Sequence, residues 1–395
     1  MNEIELFFKL VRLGIGHDNL NVNLNLKGEV DWGAVKALAE KQGLSAVVLD
    51  GLNSLPLKSL DAYGMPQMLR LEWIGEVLQG EQTYKLHQEV ATDMANLFHR
   101  NGIRTYVLKG RIIAECYPRP EHRVSSDMDC FLSNVNDNDN LNDNRRGSHE
   151  EAWKLGNDLI RAKHFDVGEG FYKNSSFHLP GLMVENHLFL TPFRGNERLE
   201  SLEKVLQAML QEDKGVDVIE GTWLYRPPVM VSALFLIEHA YSHFLHEGLT
   251  WRMVLDWVMF RKKHEKEIAW SDFEAYMDEF GFRKFYDTFN AIGMETFNDN
   301  DNLNLNEGSP EGSKSQENLN QNLSNAHLKA KMMEDIWAPL DLHESLQGVK
   351  AKFQLAGNYW RARWKYKCFT EMTWVRALME WVLGAVFDRY PTLDS

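Results

Sequence analysis

The apolar and polar positions of the chain follow a helical period over most of its length. Apolar residues recur every three to four positions in segments 3–14, 32–50 and 66–100, a spacing typical of amphipathic helices. Asp31 is a suitable N-cap for the second segment. The same period returns after residue 196. The helices predicted there are 197–213, 228–246, 250–265, 271–293, 326–336, 344–367 and 369–388.

Between these helical regions the pattern changes to the alternation of β-strands. Residues 102–132 predict a strand, a helix and a second strand, and 150–163 predict a helix. Residues 175–190 predict a hairpin that turns at Pro180-Gly181. We therefore expect an α+β fold, with a small mixed β-sheet embedded in a mostly helical protein. The predicted regions are 1–100, helical; 101–195, the sheet-containing core; and 196–395, helical.

The second predicted strand carries two aspartates that share one face. Met128, Cys130 and Leu132 alternate with Asp127 and Asp129, so the apolar side chains pack on one side while both carboxylates point to the other. Neighbouring carboxylates repel each other, and a hard cation such as Mg²⁺, which accepts oxygen ligands, is a usual compensation.

A third acid comes from the second strand of the predicted hairpin. Glu185 alternates with Val184 in this strand and shares a face with His187. Both side chains are therefore able to face the aspartate pair. An isolated Asp-x-Asp also occurs in glycosyltransferases that hold Mn²⁺ against a sugar nucleotide. Those enzymes begin with alternating strands and helices, whereas residues 1–100 here predict helices.

From about Gly102 to Leu190 the chain resembles the nucleotidyltransferase superfamily of the DNA polymerase beta type. It is most similar to the bacterial group usually labelled uncharacterised nucleotidyltransferase. The superfamily's usual Gly-Gly or Gly-Ser pair is Gly110-Arg111 here. The motifs that carry the resemblance are Leu108-Lys-Gly110, Tyr117-Pro-Arg-Pro120, Arg123, Asp127-Met-Asp129 and Val184-Glu-Asn-His187.

The resemblance implies a metal-dependent transfer of a nucleoside monophosphate from an NTP, with ATP the expected donor, to an unknown hydroxyl acceptor. In the superfamily, two acids and a third hold the metals, and the third commonly activates the attacking hydroxyl. Carried over, these are Asp127, Asp129 and Glu185, with Mg²⁺ or Mn²⁺ as the metal. The residues expected at the triphosphate are Lys109, Gly110, Arg111, Arg123 and Ser126. Two alternatives are a metal-dependent sugar-nucleotide or phospho-group transferase and a catalytically inactive nucleotide-binding or interaction protein on the same fold.

Arg123 and a helix in the C-terminal region have structural interpretations as well. Arg123 could form a salt bridge with a nearby acid such as Glu121 instead of binding phosphate. Arg252 and Asp256 are spaced i, i+4 and could pair within their helix. The same spacing lets His239, His243 and His246 share a helix face, where they could bind zinc, line the cleft or simply pack.

Tyr359–Lys367 is a basic and aromatic segment in the C-terminal region. It could grip a nucleobase or an RNA end. The pattern favours the simpler interpretation, an amphipathic helix with packed tryptophans, Trp360 and Trp364, and solvated cations.

Composition limits the function classes. The formal net charge of −14 argues against broad nucleic-acid binding. Three widely spaced cysteines support neither a disulfide framework nor a thiolate zinc site. No run approaches the roughly 18 apolar residues that a membrane span needs, so we expect a cytoplasmic protein. Three Asn-rich segments, at 17–26 and near 134–146 and 298–325, predict surface loops, because such composition cannot bury a core.

Overall fold

Four helices are described in the N-terminal region. The computed structural model describes residues 2–17, 30–55, 64–134, 149–169, 172–192, 196–213, 217–297, 316–337 and 360–370, with 373 and 375. The predicted helix at 32–50 is divided at Gly43, whose φ of 67° belongs to the left-handed region that ends many helices. The four helices are α1 (Glu3–Gly14), α2 (Trp32–Lys41), α3 (Ser45–Asn53) and α4 (Gln67–His99).

A six-stranded mixed sheet forms the centre of the fold, in the order β3-β4-β5-β2-β1-β6. β2 pairs antiparallel with β1 and parallel with β5, and β4 and β5 form the predicted hairpin. The sheet confirms the predicted α+β class. Prediction missed β3 and β6, which are too short to show a period. The strands are β1 (Ile103–Val107), β2 (Asp127–Asn134), β3 (Val167–Glu169), β4 (Asn174–Leu179), β5 (Leu182–His187) and β6 (Leu224–Tyr225).

The remaining helices largely follow the predicted order. The predicted helix 271–293 is two helices, because the chain adopts a φ of 77° at Gly281. A short 3₁₀ turn, Pro120–His122, precedes β2. The helices are α5 (Arg111–Ala114), α6 (His149–Ala162), α7 (Glu197–Glu212), α8 (Val229–His246), α9 (Trp251–His264), α10 (Trp270–Glu279), α11 (Arg283–Phe297), α12 (Gln316–Trp337) and a helix at 360–369.

One Asn-rich segment was predicted wrongly in part. Residues 316–325, within the predicted loop near 298–325, belong to α12. The helix is anchored farther along by the buried Leu328, Met332 and Ile336, which recur every four residues. The rest of that segment, nearly all of 17–26 and 134–146, and most of the predicted helices 344–367 and 369–388 lie outside the described residues.

The two faces of the sheet have different environments. On one face, Met128, Cys130 and Leu132 pack with residues of α4 and α6 in a continuous apolar cluster. The opposite face carries the polar side chains of β2 and β5 and lies toward α8, where Phe235 contacts the His187 ring. Among the helices described, none has the length and apolar character needed to cross a membrane.

Candidate active site

The pairing of β2 with β5 brings the predicted acids together. In this parallel register Asp129 lies opposite Glu185, and Asp127 lies opposite Met183. Because side chains alternate along a strand, Asp127 and Asp129 share the face that carries Glu185 and His187. The predicted alternation of both strands is therefore the one that the structure has.

Asp129 is the most enclosed of the three acids, with 1 % of its surface exposed. His187 Nε2 donates to Asp129 Oδ1 over 3.0 Å. Lys109 Nζ lies 3.1 Å from Oδ2, yet this oxygen accepts no hydrogen bond from any residue that the structure describes. Burial opposes ionisation, but Lys109 and His187 outweigh it and hold the pKa of Asp129 below its usual range.

Glu185 is half-buried and held in place by neighbours on two strands. Asn174 Nδ2 donates to its Oε2 over 2.9 Å, and His187 Nε2 lies 3.6 Å from the same oxygen. The contact with His187 lowers the pKa of Glu185 despite partial burial. Glu185 is thus an ionised carboxylate of fixed orientation.

His187 has oxygen atoms at both ring nitrogens. Nδ1 lies 3.2 Å from the carbonyl oxygen of Phe189, and Nε2 lies 3.0 Å from Asp129. Burial lowers the pKa of the ring, but Asp129 and Glu185 outweigh burial and raise it. This geometry suits a doubly protonated ring that donates from both nitrogens and orients the two acids.

Lys109 follows β1 and extends its half-buried side chain into the acid cluster. Its Nζ lies 3.7 Å from Asp127 Oδ2, besides its contact with Asp129. His239 Nε2, on α8, lies 3.2 Å from the same ammonium. Burial and the neighbouring Lys109 charge lower the pKa of His239, so the neutral ring accepts a hydrogen bond from Lys109. The contacts of Lys109 with the aspartates and with His239 were not predicted, since they depend on pairing between distant segments.

The turn around Gly110 brings the backbone close to the start of β2. Gly110 has a φ of 71°, and a Cβ built there would lie 3.2 Å from Ser125 Oγ. Ser125 Oγ donates to the Asp127 carbonyl oxygen over 2.9 Å, and Ser126 Oγ donates to Asp127 Oδ1 over 3.3 Å. A larger residue at Gly110 would be strained and crowded at this turn.

Arg111 has unused hydrogen-bonding capacity at the same turn. Its Nε lies 4.0 Å from Glu115 Oε1, but Glu115 accepts two shorter hydrogen bonds from Arg226. Arg111 Nη1 is buried without an acceptor among the described residues. A buried donor without a hydrogen-bond partner destabilises the fold. A phosphate oxygen would be a suitable acceptor for it.

Arg123 forms a buried ion pair with a distant residue, Asp256. Its Nε and Nη2 donate to the two carboxylate oxygens of Asp256 over 3.1 and 2.7 Å, and Tyr117 also donates to Asp256. The expected partners were therefore wrong: Arg123 pairs with Asp256 rather than Glu121, and Asp256 with Arg123 rather than Arg252. Arg252 donates to the Val124 carbonyl oxygen over 2.7 Å.

The histidines of α8 divide between the cleft and local contacts. His239 reaches Lys109, and its ring centroid lies 4.4 Å from that of His243. His243 Nδ1 lies 2.7 Å from Glu247, and His246 Nδ1 lies 2.8 Å from the Ser242 carbonyl oxygen. The histidines have separate partners in this arrangement.

The basic and aromatic segment follows the expected amphipathic pattern, with Arg361 and Lys367 exposed, except at two positions. Trp360 is 54 % exposed, whereas Lys365 is buried. The Lys365 ammonium lies 2.7 Å from Asp335 and donates to the Phe244 carbonyl oxygen. Trp364 does pack as expected, edge-on against Phe244. The helix 360–369 is therefore fastened to α8 and α12 through one of its cations.

The donor set around Asp129 fits a divalent metal. Carboxylate oxygens of Asp129 and Glu185 lie within 4.8 Å of each other, and Asp127 adds a carboxylate on the same strand face. His187, which donates from both ring nitrogens, orients these acids and is not itself a metal ligand. Asp129 Oδ2 accepts no hydrogen bond from the described residues, although the Lys109 ammonium lies 3.1 Å away, and a metal would be a second cation at this oxygen. Carboxylate oxygens suit Mg²⁺ and Mn²⁺.

Comparison with known proteins gives one family assignment. The family model described as uncharacterised nucleotidyltransferase matches residues 28–295, more than half of the chain. The match includes α4, the sheet and the helices α8 and α9. Neither the curated proteins nor the solved structures give a match. The chain belongs to the uncharacterised nucleotidyltransferase family.

Proposed function

We propose that this protein catalyses the Mg²⁺-dependent transfer of a nucleoside monophosphate from an NTP to a hydroxyl group of an acceptor, with release of pyrophosphate. Family membership supports nucleotidyl transfer as the general activity. The observation that best supports the metal-dependent reaction is the buried Asp129 carboxylate, which lies opposite Glu185 and has one oxygen free of hydrogen bonds from the described residues.

Asp127, Asp129 and Glu185 would hold the metal, which when bound neutralises charge on the carboxylates and phosphates. Lys109 is the fixed cation beside them. Arg111, whose buried Nη1 has no acceptor among the described residues, and Ser126, beside Asp127, would bind the triphosphate at the Gly110 turn. Fixed charges in a water-poor site stabilise developing negative charge without reorganisation.

The proposed reaction exchanges two P–O bonds. The acceptor oxygen forms a bond to the α-phosphorus, the α–β bridging bond breaks, and pyrophosphate leaves. Glu185 accepts the proton lost by the hydroxyl, and Asn174 and His187 hold its carboxylate in orientation. We assign Arg123 a positioning role, since its pair with Asp256 fastens the segment before β2 to α9.

One observation favours a catalytically inactive nucleotide-binding protein as the second candidate. The Lys109 ammonium lies 3.1 Å from Asp129 and 3.7 Å from Asp127, and it already neutralises part of their charge. Such a protein would bind a nucleotide with little dependence on metal and would not release pyrophosphate.

Thermal stability with ligands tests the proposal. At an NTP concentration of about 100 times Kd, the free energy of unfolding should rise by about 2.7 kcal/mol, and only when Mg²⁺ is present. Asp127→Asn and Asp129→Asn should lose the metal-dependent part, and Glu185→Gln should bind but lose turnover. Asp158→Asn, on the exposed face of α6, is the matched control.

Three other outcomes would change the assignment. Stabilisation by sugar nucleotides in place of NTPs would indicate a glycosyl transfer. Metal-independent NTP binding without pyrophosphate release would support the inactive candidate. The absence of any nucleotide effect on the wild-type protein would contradict nucleotidyl transfer itself.

A further inference from the structure

A cavity of about 480 Å³ lies between α4, the α2–α3 corner and one end of the strands of the sheet. Lys109, Gly110, Arg111 and Asp127 line it, so it adjoins the proposed triphosphate site. This volume is in the range of sites that enclose most of a small organic molecule. The cavity is therefore large enough for a substantial part of one substrate.

The walls of the cavity differ in chemistry. The sheet side is apolar and includes Val107, Met128 and Leu182. The α4 side includes Tyr84 and His87, both half-buried. In the described part of the chain, the Tyr84 ring has no aromatic contact. An apolar floor with an unstacked aromatic ring suits a flat heteroaromatic group, because such rings bind by stacking and apolar burial.

The position of the cavity decides which substrate it accommodates. Among the three acids, Asp127 lines the cavity, whereas Glu185 and its partner His187 do not. In the proposed function the acceptor hydroxyl lies at Glu185, and the triphosphate lies at Lys109 and Arg111. A group that occupies the cavity is thus continuous with the phosphates, and the acceptor approaches from the side of Glu185.

We propose that this cavity binds the nucleoside half of the NTP, with Tyr84 stacking on the base. This inference rests on the proposed nucleotidyl transfer. It adds that α4, a helix outside the sheet, forms the wall of the cavity that binds the base. The sheet-side floor is apolar, and the polar groups able to read base edges, such as Gln79, Thr83 and Gln88, lie on the α4 side next to Tyr84.

Two glycines of α4 provide a matched test. A Cβ added at Gly80 or at Gly75 would meet no atom within 4 Å, and Gly80 lines the cavity whereas Gly75 does not. Gly80→Leu should therefore fill part of the cavity without disturbing the helix. Gly75→Leu makes the same change on the same helix outside the cavity. Tyr84→Ala and Tyr84→Phe test the ring directly.

The measurement compares Kd for ATP and for inorganic tripolyphosphate, each with Mg²⁺, on the full-length chain. Gly80→Leu and Tyr84→Ala should weaken ATP binding about tenfold or more and leave tripolyphosphate binding within about twofold. Gly75→Leu and Tyr84→Phe should match the wild type. Melting temperatures verify that each variant is folded.

The contrary results separate this inference from the proposed function. If wild type binds ATP and both Gly80→Leu and Tyr84→Ala bind it equally well, the nucleoside lies elsewhere and nucleotidyl transfer stands. If Gly80→Leu keeps ATP affinity but loses turnover, the cavity holds the acceptor, and the inference is wrong. If wild type binds neither ATP nor tripolyphosphate, both the proposed function and this inference fail.

Discussion

Two buried histidines of this protein each lie between two carboxylates, and their surroundings differ. His187 lies 3.0 Å from Asp129 and 3.6 Å from Glu185 on the sheet. His122, in the 3₁₀ turn before β2, lies 2.5 Å from Asp50 and 2.8 Å from Glu81. In both cases burial lowers the pKa of the ring, and contacts with the two carboxylates outweigh it and raise the pKa.

The His122 cluster is satisfied by its own members. Each ring nitrogen has a carboxylate partner, and Arg119 contacts Asp50, Glu81 and Glu121 within 3.3 Å. None of these side chains has a buried polar atom left without a hydrogen bond. The cluster joins α3 and α4 to the turn, and its role is to fasten these segments.

The His187 cluster is incomplete by comparison. One buried oxygen of Asp129 accepts no hydrogen bond from the described residues, and the Lys109 ammonium beside it comes from a strand end that borders a cavity. Both clusters have ligand atoms close enough to hold a metal. Both clusters contain two acids and a histidine. The candidate active site is distinguished by a carboxylate oxygen, Asp129 Oδ2, that can still accept a hydrogen bond or bind a metal.

The largest expected difference between the clusters is in turnover. Asp129→Asn should reduce pyrophosphate release from NTP by at least about a thousandfold, because metal-assisted charge stabilisation contributes several kcal/mol. Asp50→Asn, the equivalent change in the His122 cluster, should leave turnover within a few-fold when assayed well below its melting temperature. Equal losses in the two folded variants would show that the distinction between the clusters is wrong.

The features of the acid cluster that depend on alternation within a single strand could be predicted from the sequence. Alternation along two strands correctly assigned Asp127, Asp129 and Glu185 to one face, because a strand's period is a property of its own residues. The mutual repulsion expected of the aspartates is instead offset, since Lys109 and His187 hold the pKa of Asp129 down.

Contacts between distant segments could not be predicted in the same way. Arg123 and Asp256 are 133 positions apart, and His122 and Glu81 are 41 apart, so no spacing rule connects them. The helix ends at Gly43 and Gly281 carried a signal, glycine itself, but apolar periodicity continued across both. The preference of glycine for positive φ was the stronger indicator at these two positions.

The second prediction concerns stability and its dependence on pH. His122→Gln should lower the free energy of unfolding at pH 6 by about 1.5–3 kcal/mol, the range for hydrogen bonds to charged groups. The folded pKa of His122 is raised, so the charged contribution is fully present below the unfolded pKa of about 6.5. It is lost as pH rises through the folded pKa.

Denaturant unfolding of the wild type and His122→Gln between pH 5.5 and 9 measures this effect. The difference between the two proteins should be largest at pH 5.5–6 and should decrease toward pH 9. His187 titrates in both proteins, so its contribution cancels in the comparison. A difference that stays constant or grows with pH would contradict an imidazolium at His122 and would mean that the ring acts only through packing.

The smallest expected effect belongs to Arg119, the arginine of the His122 cluster. Its side chain is 49 % exposed, so solvent and salt screen its three ion pairs. Because Asp50 and Glu81 are already paired with His122, the whole side chain should contribute about as much as one exposed pair, about 0.2–1 kcal/mol. Arg119→Gln should therefore lower the free energy of unfolding by about 1 kcal/mol or less, and the difference should shrink further in 1 M NaCl. Lys204→Gln, which removes an exposed pair on α7, is the control for a generic surface charge.

A loss of about 3 kcal/mol that persists in high salt would show that Arg119 is as essential to its cluster as a buried cation would be. The contrast with Lys109, whose side chain is 15 % exposed, would then no longer hold.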